Sequence, residues 1–137
     1  MDYTACQRRY FAEWLCLQGS DERRLARTLA GSRIDLQAHQ IDAALFALNT
    51  PPQQGVLLAD EVGLGKTIEA GLVIAQRWAE RRRRILLIVP AMLRKQWAQE
   101  LAEKFELDAR VLDAKVWKAL RASEIAPFAQ DAINIVS

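Results

Sequence analysis

The run Asp60-Glu61-Val62-Gly63-Leu64-Gly65-Lys66-Thr67 leaves the backbone around it few choices. It follows the apolar segment Val56-Leu57-Leu58-Ala59 and opens an amphipathic stretch beginning near Ile68. The pattern predicts a strand over 55–59, a tight glycine-rich turn, then a helix of about 14 residues ending near Glu80. Gly63 and Gly65 reach backbone angles that a Cβ resists. Successive N–H groups can therefore converge on one anion. The helix that follows adds about half a positive charge at the same point. Lys66 is placed to reach the β- and γ-phosphates of a nucleotide, and the Thr67 hydroxyl to ligate Mg²⁺.

One position departs from the general phosphate-loop pattern. That pattern has glycine five residues before Gly65, and here Asp60 stands there. The rest of the chain is ordinary: 137 residues, 51% hydrophobic and 26% charged, with a formal net charge of +2. This is enough for one domain. The charge is too small to imply nucleic acid by itself. Met1-Asp2-Tyr3-Thr4 is acidic and lacks an apolar core, so no signal peptide is expected. No apolar run approaches the roughly 20 residues of a membrane helix. Cys6 and Cys16, on one helix, would lie about 15 Å apart, too far for a disulfide. Free thiols and a cytoplasmic location are expected. His39 is the only histidine, which argues against a histidine metal site.

Helical periodicity through Tyr3, Cys6, Tyr10, Trp14 and Leu17 predicts a helix over 4–17, its aromatic stripe facing the core. A second helix is expected over 21–30, with Gly31 as its stop. These segments form a helical prefix, residues 1–33. After a short extended entry at 34–36, a helix over 38–48 presents Ile41, Ala44, Leu45 and Leu48, and Asn49-Thr50-Pro51-Pro52 ends it. Beyond the loop, Ile85-Leu86-Leu87-Ile88-Val89 is apolar throughout, as expected of a strand buried on both faces. Further elements are expected as a helix over 93–105, a strand over 109–112, a weaker helix over 115–121 and a strand over 132–136. Strands alternating with helices imply an α/β fold, a parallel sheet with helices on both faces. The run Arg81-Arg82-Arg83-Arg84 closes the helix that starts at the phosphate loop, roughly 20 Å from the nucleotide. It is expected at the sheet edge away from the ligand, as a solvated cap that suits the helix dipole.

The segment Asp60-Glu61-Val62-Gly63-Leu64-Gly65-Lys66-Thr67-Ile68-Glu69-Ala70-Gly71 resembles motif I of the Swi/Snf-type ATPases, members of helicase superfamily two that translocate on double-stranded DNA. The form Asp-Glu-Val-Gly-Leu-Gly is similar to the bacterial branch of that family, where Asp60 is normal. The resemblance implies a P-loop NTPase (RecA-like) lobe over 34–137. It assigns ATP to Glu61, Val62, Gly63, Leu64, Gly65, Lys66, Thr67 and Ile68, with Mg²⁺ on Thr67. Leu36-Gln37-Ala38-His39-Gln40 resembles the upstream segment whose glutamine reads adenine, and that role maps onto Gln40. An amide offers a donor and an acceptor to the adenine edge. Val89-Pro90-Ala91-Met92-Leu93-Arg94-Lys95-Gln96-Trp97 resembles motif Ia, whose turn touches a nucleic-acid phosphate backbone. Relatives carry Ser or Thr just after the proline. Ala91 and Met92 lack that hydroxyl, leaving backbone N–H groups, Arg94 and Lys95 to make the contact. Trp97 is read as core packing. Residues 133–137 resemble the start of motif Ib.

The family hydrolyses ATP with a later Asp-Glu-x-His motif and a second lobe carrying an arginine finger. Neither follows Val89 in these 137 residues. Phosphoryl transfer depends on such positioned charges, so an incomplete lobe with negligible ATPase turnover is expected of this polypeptide alone. In RecA-like lobes the phosphate-loop strand takes its neighbours from later sequence. The strand at 55–59 is therefore expected to leave an unpaired apolar edge, with marginal stability or self-association. Two functions stay open: the ATP-binding part of a DNA-dependent ATPase, and a non-catalytic module that binds nucleotide or a protein. A small P-loop kinase is disfavoured by the segment from Pro90 to Trp97.

Overall fold

The computed structural model describes residues 37–51, 53–59, 65–123, 126 and 128–137. The expected prefix at 1–33, its two helices, both cysteines and the entry at 34–36 lie outside the described residues.

The first helix, α1, spans Ala38–Asn49. It stops because Pro51 cannot continue it, and Thr50 closes the end by donating to the Phe46 carbonyl from its amide (3.1 Å) and hydroxyl (2.8 Å). Helix α2 spans Lys66–Ala79. It ends in a left-handed residue, Arg81 at φ 63°, and the Arg82 amide donates back to the Arg77 carbonyl at 3.0 Å. This is the six-to-one closure that satisfies a helix's last carbonyls. Strand β1 spans Arg84–Ile88. A 3-10 turn at Ala91–Leu93 leads into α3, Arg94–Phe105. Strand β2 is Ala109–Val111, α4 is Ala114–Ala122 and β3 is Ala132–Val136.

The three strands form one parallel sheet in the order β1-β3-β2. Strands alternate their side chains, so the register sorts residues by face. Ile85, Leu87, Ile133, Ile135, Ala109 and Val111 share one face. That face meets Leu72 and Ala75 of α2 and Leu101 and Phe105 of α3 in the core. Each fully buried aliphatic side chain there contributes about 1.5–3 kcal/mol. Trp97 packs against the same cluster, as its sequence context suggested. Where α2 crosses α3 the chain needs glycine: a Cβ on Gly71 would overlap the Phe105 ring.

The second face follows from chirality. The connection from β1 through α3 to β2 and that from β2 through α4 to β3 run in opposite directions across the sheet. Right-handed crossovers then place α3 and α4 on opposite faces. The hydrogen bond from Arg110 on β2 to Gln130, just past α4, spans 3.1 Å and ties the return chain to that second face. The α/β architecture with helices on both faces is therefore present.

Two expectations are corrected. Residues 55–59 form no strand. A strand requires a hydrogen-bonded neighbour, and among the described residues β1, β2 and β3 pair only with one another. Leu57 is 84% exposed as a result. The apolar run at 85–89 is also not buried on both faces. Leu86 is 49% exposed and Ile88 75% exposed. The second-face helix follows β2 and leads into β3, and β1 is the far strand of the sheet, beyond β3.

Candidate functional site

α2 runs antiparallel to β1, because residues 80–83 join its end directly to the start of that strand. Its first turn therefore lies at the carboxyl edge of the sheet, where open α/β folds bind ligands. Gly65 is the residue before the helix and adopts φ 93°, a left-handed conformation. Its carbonyl accepts from the amides of Ile68 (2.7 Å) and Glu69 (3.1 Å), which starts the helix at Lys66. Gly65 brings no side chain of its own to cap this end. The first amides of a helix have no intrahelical acceptor and carry its positive pole. Lys66 and Thr67 are half-buried on the opening turn. Glu69 is fully buried one position past Ile68.

Gln40 is set against this turn by the packing of α1 on α2. Its Oε1 accepts from the Gln37 amide at 3.2 Å. Its Nε2 faces Gly65 so closely that a Cβ there would sit 2.4 Å from it. Gln40 is buried and faces the phosphate loop rather than solvent. Reading an adenine edge would require the amide to turn out of this position. Only the bond to Gln37 has a local sequence signal, since a glutamine three residues after the start of a helix can reach back to that amide.

Asp60, Glu61, Val62, Gly63 and Leu64 lie outside the described residues. Of the remaining expected positions, Gly65, Lys66, Thr67 and Gln40 converge on one corner. Ile68 sends its side chain into the core and commits its amide to Gly65, so it supports the turn from behind. Arg94 and Lys95 stand elsewhere on the same carboxyl edge, after β1. Pro90 and Leu93 close the intervening turn with a 2.8 Å hydrogen bond. Arg94 Nε donates to the Ala91 carbonyl at 3.3 Å, and Lys95 is exposed.

The arginine run sits at the amino edge, between α2 and β1. Arg83 lies 5.3 Å from the Trp78 ring centroid, a cation–π contact. A cavity of about 490 Å³ lined by Trp78, Glu106, Asp108 and Asp131 opens at this same edge, so it is not a space for a phosphate chain held by α2. Among the described residues no group of three metal-ligating side chains occurs and no helix is long and apolar enough to cross a membrane.

The profile of one family, described as SNF2-related domain, matches residues 13–131. The RNA polymerase-associated protein RapA of Haemophilus influenzae is 38% identical over 124 residues, 90% of this chain and 13% of that protein. The protein of the same name from Pasteurella multocida is 46% identical over 89 residues, 64% of this chain and 9% of its own length. That from Stutzerimonas stutzeri is 41% identical over 110 residues, 80% of this chain and 11% of that protein. The chain thus spans about an eighth of these relatives or less. A solved structure, the Sulfolobus solfataricus SWI2/SNF2 ATPase core in complex with dsDNA, matches 77% of this chain and 22% of that chain with a TM-score of 0.60 at 25% identity. The chain belongs to the SNF2-related domain family of helicase-like ATPases.

Proposed function

We propose that this chain supplies the ATP-binding part of a DNA-dependent ATPase that couples hydrolysis to movement on double-stranded DNA. The observation that carries the reading is the start of α2. A left-handed Gly65 opens a helix at Lys66-Thr67 on the carboxyl edge, and glycine brings no side chain of its own to cap it. Such a helix start favours an anion, because its amides and positive pole point the same way. Lys66 would hold the β- and γ-phosphates, helped by the amides of Glu61 to Gly65, and the Thr67 hydroxyl would ligate Mg²⁺. Mg²⁺, when bound, supplies charge neutralisation between those phosphates. Gln40 would read the adenine edge once its amide turns away from Gly65. Arg94 and Lys95 would meet the DNA backbone.

Family membership supports the ATPase part of this reading, and the dsDNA in the Sulfolobus structure motivates the DNA part. The relatives are RNA polymerase-associated proteins, which makes RNA polymerase a partner to test. The deciding experiment is titration of a fluorescent ATP analogue into wild type and Lys66→Ala. Losing a charge-assisted hydrogen bond costs about 1.5–3 kcal/mol, so the variant should bind on the order of ten- to a hundredfold more weakly. Equal affinities would refute the phosphate site.

A further inference from the structure

We propose that the solvent face of α4 is a second contact for the phosphate backbone of duplex DNA, beyond the turn that carries Arg94 and Lys95. The inference rests on the DNA part of the function proposed above. It starts from the charge content of the helices. Away from the Arg94–Lys95 turn, cations of α2 and α3 are paired within the helix or its cap: Arg77 to Glu80 at 3.0 Å, and Lys104 to Glu100 at 3.1 Å. Further glutamine–glutamate pairs join Gln96 to Glu100 and Gln99 to Glu103. The sequence of α4, Ala-Lys-Val-Trp-Lys-Ala-Leu-Arg-Ala, contains three cations and no acid.

Those cations are not scattered. Val116 and Leu120, four residues apart, form the partly buried stripe of α4. At 100° per residue, Lys118 falls opposite that stripe, with Lys115 and Arg121 about 60° to either side. All three are exposed. The nearest described acid in sequence, Asp113, starts the helix: its Oδ1 accepts from the Val116 amide at 2.8 Å. In sequence, Glu124 follows three residues after Arg121. The row is about 9 Å long. One strand of duplex DNA presents a phosphate every 3.4 Å or so along its axis, so the row faces about three of them.

Placement agrees with the charge. α4 follows the carboxyl end of β2, so its Lys115 end lies on the edge that holds the start of α2 and the Arg94–Lys95 turn. Beside the row, Trp117 and Phe128 pack on each other in a tilted pair with ring centroids 5.7 Å apart.

The test uses the full chain and a labelled random-sequence duplex, with affinity measured across a salt series. A triple variant, Lys115→Gln with Lys118→Gln and Arg121→Gln, removes the row while retaining helix-compatible residues. Its charge-matched control is Arg81→Gln with Arg82→Gln and Arg84→Gln at the amino edge. We expect the α4 variant to bind roughly tenfold more weakly or worse and to lose about two to three from the log-affinity versus log-salt slope, with the control near wild type. Unchanged binding by the α4 variant overturns the proposal, and so does equal loss in both triples, which would report net charge alone. No duplex binding by wild type at low salt also overturns it. An equal loss of polyglutamate binding would assign the face to an acidic protein instead and overturn the DNA reading. Lys66→Ala and an Arg94→Gln with Lys95→Gln variant report separately on the site above, so their failure leaves the α4 result standing.

Discussion

Gly65 and Gln40 are the pair on which the corner at α2 turns. Gly65 is held at φ 93° with the Gln40 amide nitrogen against its Cα hydrogens. Alanine there meets two separate penalties: a left-handed backbone, about 1 kcal/mol or more, and overlap with Nε2. Only the second depends on residue 40. Gly65→Ala should therefore lower stability in a urea titration, and Gln40→Ala should relieve part of the loss. Residues in contact couple by about 0.5–3 kcal/mol. Strict additivity in that double-mutant cycle would show that the two side chains do not meet. The glycine was legible in the motif, because successive amides cannot converge without it. Its contact with Gln40 was not, since the two are 25 residues apart along the chain and meet only when α1 packs on α2.

At the scale of elements, β1 and the segment at 55–59 behave as the two sides of an unfinished sheet. Val56, Leu57, Leu86 and Ile88 expose apolar surface, and among the described residues β1 is hydrogen-bonded to a strand on one side only. A cavity of about 460 Å³ lies between them, lined by Gly55, Val56, Val73, Ile85 and Leu86 and bordered by Arg77, Arg82 and Arg84. Apolar edges of this kind associate. We expect the wild-type chain to self-associate with concentration in sedimentation equilibrium, and Ile88→Lys to reduce the apparent mass. A wild-type sample that stays monomeric at high concentration would contradict this. The boundaries of α1, α2 and α3 came close to the periodic pattern because each has its own local stop, a proline after α1 or a left-handed residue after α2 and α3. The strand at 55–59 failed because no local signal reports whether a neighbour exists.

For the whole molecule, nucleotide binding and nucleotide turnover should separate. No Asp-Glu-x-His follows Val89 in the 137 residues, and positioned acids carry most of phosphoryl-transfer catalysis. We predict negligible steady-state phosphate release with duplex DNA present, alongside measurable ATP binding. A rate comparable to intact relatives would overturn that division. The parallel α/β class and the core stripes were readable along the chain, because each depends on residues adjacent in sequence or spaced by one helical or strand period. Three features became visible only when the elements were assembled: the burial of Gln40 against Gly65, the exposure of Leu86 and Ile88, and the placement of α4 on the face opposite α3. Each is set by which surfaces meet across the sheet and its crossovers, and contacts between segments distant in sequence leave no periodic trace in the residues that make them.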